Sequence, residues 1–367
     1  MHRRTLLIGG GAVIVAGGAA TAIGLKQTGS MDEYKEVAKQ LRLPLAVQPN
    51  DRELIRYATL AANGHNTQPW KFRVRGGSFE ILPDFTRRTI VVDPDDHHLF
   101  ASLGCAAENL MIACTAANRT SELRFDPAEN GKVVVDTVAG GEERSPLLGA
   151  IIKRQSTRTD YDGRSVSTTD LALLSSASEI PGVATILITD RMQMNRIRDL
   201  VIAGNSLQME DKGFVDELKQ WIRFNPNDAM EKRDGLFGAS GGNPALPSWL
   251  GRGMFDLLFQ KNTENDKYAR QINGSAGIAV FVGEKDDPEH WVQAGRACQR
   301  FALQATALGL KQAYINQPVE VLKLRPELAA LVGTPKRRPN IIMRFGYGPT
   351  MPMSLRRPID AVLEVSQ

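Results

Sequence analysis

The sequence predicts an α+β protein made of two related halves. Three observations carry that prediction: helical and strand-like stretches interleave along the chain, an early hairpin makes at least one strand pair antiparallel, and a short helical motif occurs twice. A length of 367 residues suits two packed units of ordinary size. With 42% hydrophobic and 23% charged residues, the bulk is a soluble folded body rather than a disordered or polytopic membrane chain.

The elements follow in order. Asp51 to Ala62 carries Leu54, Ile55, Ala58 and Ala61 at helical spacing behind an aspartate suited to cap it. Asn63-Gly64-His65-Asn66 is a turn by composition, and Trp70 to Val74 and Phe79 to Leu82 flank Arg75-Gly76-Gly77 as a hairpin. Ser102 to Ala117 is apolar without β-branched runs and reads as a core helix. Val183 to Ile188 reads as a strand and Arg191 to Leu207 as a helix. Asn225 to Gly253, crowded with Gly, Pro, Asn and Asp, is expected to form a long exposed loop or lid, an insertion over about residues 222–255. Gly277 to Gly283 then gives a strand, Glu289 to Leu308 a helix closed by Gly309, and Ala313 to Ile315 and Asn340 to Phe345 the last two strands.

The repeated motif lies in the two apolar helices. Gly104, Ala106, Thr115 and Ala116 match Gly295, Ala297, Thr306 and Ala307 at one constant offset, as a duplicated fold would produce. The halves are expected to span residues 31–150 and 151–367.

The start of the chain is different in kind. Arg3-Arg4 precedes an apolar run from Leu6 to Leu25 broken only by Thr21, and Ala20-Thr21-Ala22 has the small-residue composition of a cleavage site. These are the parts of an export signal, and the arginine pair followed by Thr5-Leu6-Leu7 resembles the twin-arginine (Tat pathway) type. A run of that length could also remain in a bilayer as an anchor, or belong to the fold as an ordinary N-terminal element. Residues 1–30, read as signal peptide or anchor, predict a bacterial protein that is exported, periplasmic or membrane-anchored.

Charge and cysteine use exclude some functions. The chain has 45 basic and 41 acidic residues, and Arg3, Arg4 and Lys26 fall in the leading segment, which has no acid. The remainder is close to neutral and gives no electrostatic case for nucleic acid. Cys105, Cys114 and Cys298 are the only cysteines, the first two turn to opposite faces of one expected helix, and neither CxxC nor HExxH occurs, so no metal is expected.

Three segments carry a resemblance. Asn63-Gly64-His65-Asn66-Thr67-Gln68-Pro69-Trp70 resembles the Asn-x-Gln-Pro-Trp segment of the FMN-dependent nitroreductase family. Arg154-Gln155-Ser156-Thr157-Arg158 resembles that family's Arg-x-Ser-x-Arg segment, and Gly346-Tyr347-Gly348 with Arg356-Arg357-Pro358 its C-terminal strand and closing arginine. Family members present the arginine segment first and bind FMN at a homodimer interface. Here the order is reversed, which is similar to the fused Acg-like branch, where one chain imitates the dimer. The resemblance therefore implies a nitroreductase-like fold, a pseudo-dimer needing no obligate homodimer, and one flavin site built from complementary pieces.

It also implies roles. Arg154 and Arg356 or Arg357 would hold the FMN phosphate with bidentate contacts. Asp160 and Asp162 offer Arg158 local partners, which ranks it lower. Gln155 lies within the same segment, and Ser156 has a hydroxyl suited to a phosphate or ribityl oxygen, or to a helix cap. Asn66 and Gln68 bring amides suited to the flavin edge, with Pro69 expected to hold Gln68 in an extended backbone. Trp70 either walls the pocket or packs in the core. Tyr314 could stack, donate, or be a buried tyrosine with a satisfied hydroxyl, and His65 reads as a loop residue. No protein acid, base or nucleophile is required, because the flavin N5 carries hydride chemistry.

The implied activity is ping-pong reduction of a small electron-poor acceptor such as a nitroaromatic or quinone, with the electron donor left open. The alternatives are an FMN-binding protein that sequesters an occluded flavin under Phe237, Leu246, Pro247 and Trp249, and a structural protein that keeps the fold.

Overall fold

The computed structural model describes residues 28–140 and 143–364, so the export-signal reading of the leading segment lies almost wholly outside the described residues. Ser30 caps α1 (Met31–Gln40) and Asn50 caps α2 (Asp51–Thr59), each accepting an amide of the first turn. Asp51 is thus not the cap. It sits in the first turn, where a carboxylate also favours the helix start.

The expected hairpin is β1 (Trp70–Arg75) with β2 (Ser78–Pro83), in antiparallel register from Trp70 opposite Pro83 to Arg75 opposite Ser78. The core helix α3 (His97–Ala116) starts earlier than its apolar run. The Asp93 carboxylate accepts the His98 and Leu99 amides at 2.9 and 3.0 Å and so fixes that start. β3 (Arg119–Asp126) and β4 (Lys132–Ala139) complete an antiparallel sheet of order β1-β2-β4-β3.

After α4 (Leu148–Ile151) and α5 (Thr168–Ala177) comes β5 (Val183–Ile188), then α6 (Arg191–Glu210) and α7 (Lys212–Trp221). The segment expected as a lid is folded rather than one long loop: β6 (Ile222–Arg223), α8 (Pro226–Lys232), β7 (Leu236–Phe237) and most of α9 (Ser248–Leu258) occupy it. Several of its prolines and glycines mark the joints, with Pro226 opening α8 and Gly235 and Gly242 at positive φ. Next are α10 (Lys261–Asn273), β8 (Gly277–Gly283), α11 (Pro288–Ala307), β9 (Lys311–Tyr314), α12 (Gln317–Glu320), α13 (Arg325–Leu331), β10 (Pro339–Gly346) and α14 (Ile359–Val362).

The second sheet has order β5-β8-β10-β9, again antiparallel throughout. In sequence order, first, second, fourth and third strands adjoin in both sheets. β8 and β10 are buried on both faces, between Phe301 of α11 on one side and Met194, Ile197 and Val201 of α6 on the other.

The two halves meet at α3 and α11. A Cβ on Gly104 would overlap the Val292 carbonyl, and a Cβ on Gly295 would overlap that of Ala101. These contacts are images of each other at the repeat offset. So are two polar pairs: Glu108 accepts from Arg300 at 2.8 Å, and in the corresponding place Gln299 donates to Asn109 at 2.7 Å. Reciprocal contacts of this kind define an isologous, two-fold interface. The chain thus holds the α+β architecture expected of two fused halves. The C-terminal tail also reaches the first half, Leu363 bridging Phe72 of β1, while Ser156 near the start of the second half bridges Gln312 of β9.

Candidate functional site

Between the halves lies a cavity of about 310 Å³. The first half contributes Ala62 to His65, where α2 gives way to the turn before β1, together with His98, Ser102 and Cys105 of α3. The second contributes Ser156, Arg158, Tyr314, Gln317 and Glu320. Phe214 and Leu218 of α7, with Ile222, Leu236 and Phe237, form an apolar wall.

Of the residues singled out from sequence, Ser156, Arg158 and Tyr314 line this cavity. Arg158 is better placed than its neighbours suggested. Asp162 pairs with Arg164 at 2.7 Å and Asp160 lies 3.9 Å from Arg270, so neither takes the Arg158 guanidinium. No carboxylate among the described residues lies within ion-pair distance of it. Its side chain is half-buried, and burial lowers its pKa.

The Asn-x-Gln-Pro-Trp residues do something else. Asn66 Nδ2 donates to the Gly235 and Leu355 carbonyls, and Gln68 Nε2 donates to the Arg233 carbonyl while its Oε1 accepts the Arg357 amide at 2.7 Å. Together they join the turn, the base of the lid segment and the C-terminal stretch. Gln68 is not extended: its φ is +54°, in the left-handed region. The Asn63 side chain accepting the Gln68 amide at 2.8 Å, with the bonds just named, holds that conformation against the preference imposed by Pro69. Pro69 is buried, and its carbonyl accepts the Asp84 amide. Trp70 is fully buried in the first core beside Phe72.

The arginines divide similarly. Arg356 donates to the carbonyls of Thr59, Leu60 and Ala61 at 2.6, 3.3 and 3.1 Å, and to Asn66 Oδ1 at 2.9 Å. It therefore closes the C-terminal end of α2. Arg357 donates to the Gln68 carbonyl and lies 3.4 Å from Asp84. Gln155 is buried and donates to the Met351 carbonyl at 2.7 Å. Arg154 is also buried, donating to the Leu60 carbonyl at 3.2 Å, but its Nε and Nη1 have no hydrogen-bond partner. None of these four lines the cavity.

Sequence reasoning missed His65. Its φ of +47° turns the side chain into the cavity, where burial, then the Arg158 and His98 charges, lower its pKa to about 4. The imidazole is neutral at pH 7. Glu320, 3.7 Å from His98, has its pKa raised by burial. Tyr314 lies 3.5 Å from the Cys298 thiol, and burial raises its pKa as well. The signal for His65 was its place inside the conspicuous turn; what was not readable was the sign of its φ.

Comparison with known proteins bears on this architecture. The Nitroreductase family model matches residues 151–347, more than half of the chain. The Mycobacterium tuberculosis H37Rv protein named "Putative NAD(P)H nitroreductase Rv3131" is 26% identical over 328 residues, covering 85% of this chain and 90% of that protein. "Putative NAD(P)H nitroreductase acg" of the same strain is 22% identical over 327 residues, covering 86% and 95%. Among solved structures, the FMN-dependent nitroreductase NfnB of Mycobacterium smegmatis covers 59% of this chain and 96% of its own, at 15% identity and a TM-score of 0.41. The family match covers the second half from α4 to β10, and the first half repeats that half's sheet order around a shared two-fold. This chain belongs to the nitroreductase family.

Proposed function

We propose that the chain binds one FMN in the cavity between its halves and acts as a nitroreductase-type oxidoreductase on an electron-poor acceptor such as a nitroaromatic or quinone. The observation that carries this reading is Arg158, a cavity-lining cation without a carboxylate partner among the described residues, beside the hydroxyl-bearing Ser156. The fit is supported by the apolar walls on the α7 side. When bound, FMN supplies a two-electron carrier that accepts hydride from a reductant and returns it to an acceptor.

The chain's own residues bind and exclude. Arg158 neutralises an anionic group, and Ser156 can donate to one of its oxygens. Lys267, also at the cavity, lies 3.6 Å from Glu264, so its charge is matched locally. His65, neutral at pH 7, adds no charge. Phe214, Leu218 and Phe237 keep water from one wall.

A sequestering role has one observation in its favour. The base of the lid segment is pinned, with Asp234 paired to both Arg87 and Arg223 and the backbone of Arg233 and Gly235 held by Gln68 and Asn66. Anaerobic stopped-flow absorbance of the flavin band separates the two. Rapid bleaching by NADH or NADPH, reversed by a quinone, supports turnover; bleaching by dithionite alone supports sequestration.

A further inference from the structure

The outer face of the lid segment, the N-terminal end of the folded body and one cavity wall lie together. Gly29, at φ +78°, approaches Asn227 of α8 so closely that a Cβ would overlap the Asn227 side chain. From there α1 packs through Tyr34 and Ala38 onto Ala229, Phe237 and Leu355. Phe237 also lines the cavity, so α1 packs through Tyr34 on the back of a side chain that walls the proposed flavin site.

The chain outside the described residues ends at this spot. The apolar run stops at Leu25, three peptide steps before Thr28, and a fully extended chain spans roughly 10 Å in that distance. An apolar segment long enough to cross a bilayer is therefore attached beside α8.

α9 supplies a matching surface. Gly251 and Phe255 are buried, while Trp249 and Leu257, both 69% exposed, project with Arg252 from the other side of the helix. On the neighbouring α7, Lys219 lies over the Phe255 ring at 5.2 Å, and exposed Val91 packs on Gly213 beside exposed Ile90. An exposed tryptophan and aliphatic side chains interspersed with cations are the composition of a bilayer interface.

We infer that this face seats on a lipid bilayer, with α9 inserting Trp249 and Leu257 at the headgroup boundary. An acceptor suited to such a seat is a lipid-soluble quinone entering beside Phe237. That consequence rests on the flavoenzyme reading, whereas the docking does not.

The test uses the full chain reconstituted in phosphatidylethanolamine and phosphatidylglycerol vesicles whose acyl chains carry bromine, a short-range quencher of tryptophan. Trp70 and Trp291 are buried and Trp221 is half-buried under Arg87, so Trp249 is the strongly exposed reporter. The expected result is strong quenching in brominated over plain vesicles that disappears in Trp249→Phe. Failure to associate with vesicles, association without quenching, or equal quenching in Trp249→Phe would each overturn the docking. Flavin absorbance read on the same sample keeps the two readings apart: quenching in a flavin-free protein upholds the docking while the flavin reading fails.

Discussion

Arg158 and Arg356 make opposite predictions. Replacing Arg158 with Met removes a cation that forms no ion pair with the described residues, so the melting temperature should hold. FMN affinity should fall about 10- to 100-fold, the worth of a charge-assisted contact, as read by titrating the quenching of flavin fluorescence. Arg356→Met leaves the carbonyls of Thr59, Leu60 and Ala61 without donors in a buried place and should cost about 3–5 kcal/mol in denaturant unfolding. His65 gives a pH test with a definite sign. The unfolded chain protonates histidine near 6.5 and the folded protein only near 4, so this contribution is present at pH 7 and lost as pH falls through that window. Melts at pH 7 and pH 5 should show a smaller drop for His65→Gln than for the parent; an equal drop would refute the buried neutral assignment. Both sides of the cavity were legible as segments, since Asn63 to Trp70 and Arg154 to Arg158 carry the family resemblance. Which side chains face inward was not, because that choice depends on positive φ at His65 and Gln68 and on where Asp160 and Asp162 find partners.

Helices α3 and α11 were readable because their apolar runs are long and carry the repeat. Their contact explains the matched glycines: each lets the other half's backbone approach where no Cβ fits. Gly104→Val and Gly295→Val should each destabilise by about 3 kcal/mol or more, and the double variant should cost less than their sum, because both push the same two helices apart. Additive losses in chemical unfolding would argue against a shared interface. Strands β3 and β4 escaped sequence reading for a physical reason. β3 has intermediate to exposed residues along its length, with Arg119, Glu122 and Arg124 among them, so its hydrophobic alternation is faint. The lid segment reads as one loop because most of its glycines and prolines sit between short elements, although Gly251 and Gly253 lie within α9.

The molecule as a whole is a two-fold dimer written into one chain. Its sheets share a strand order, its central helices exchange reciprocal contacts, and the C-terminal tail beyond the second sheet crosses to the first half. The symmetry stops at the cavity. Arg158 and Ser156 come from the second half and the Ala62 to His65 turn from the first, while the α6–α10 region is inserted between β5 and β8 where the first half has only a hairpin turn. On the proposed reading, duplication followed by divergence leaves one flavin site per chain. The decisive measurement is FMN stoichiometry against particle mass, from absorbance and light scattering on the same eluting peak. The account predicts one flavin for each 40.2 kDa monomer; two flavins per chain, or flavin found only on a dimer, would contradict it.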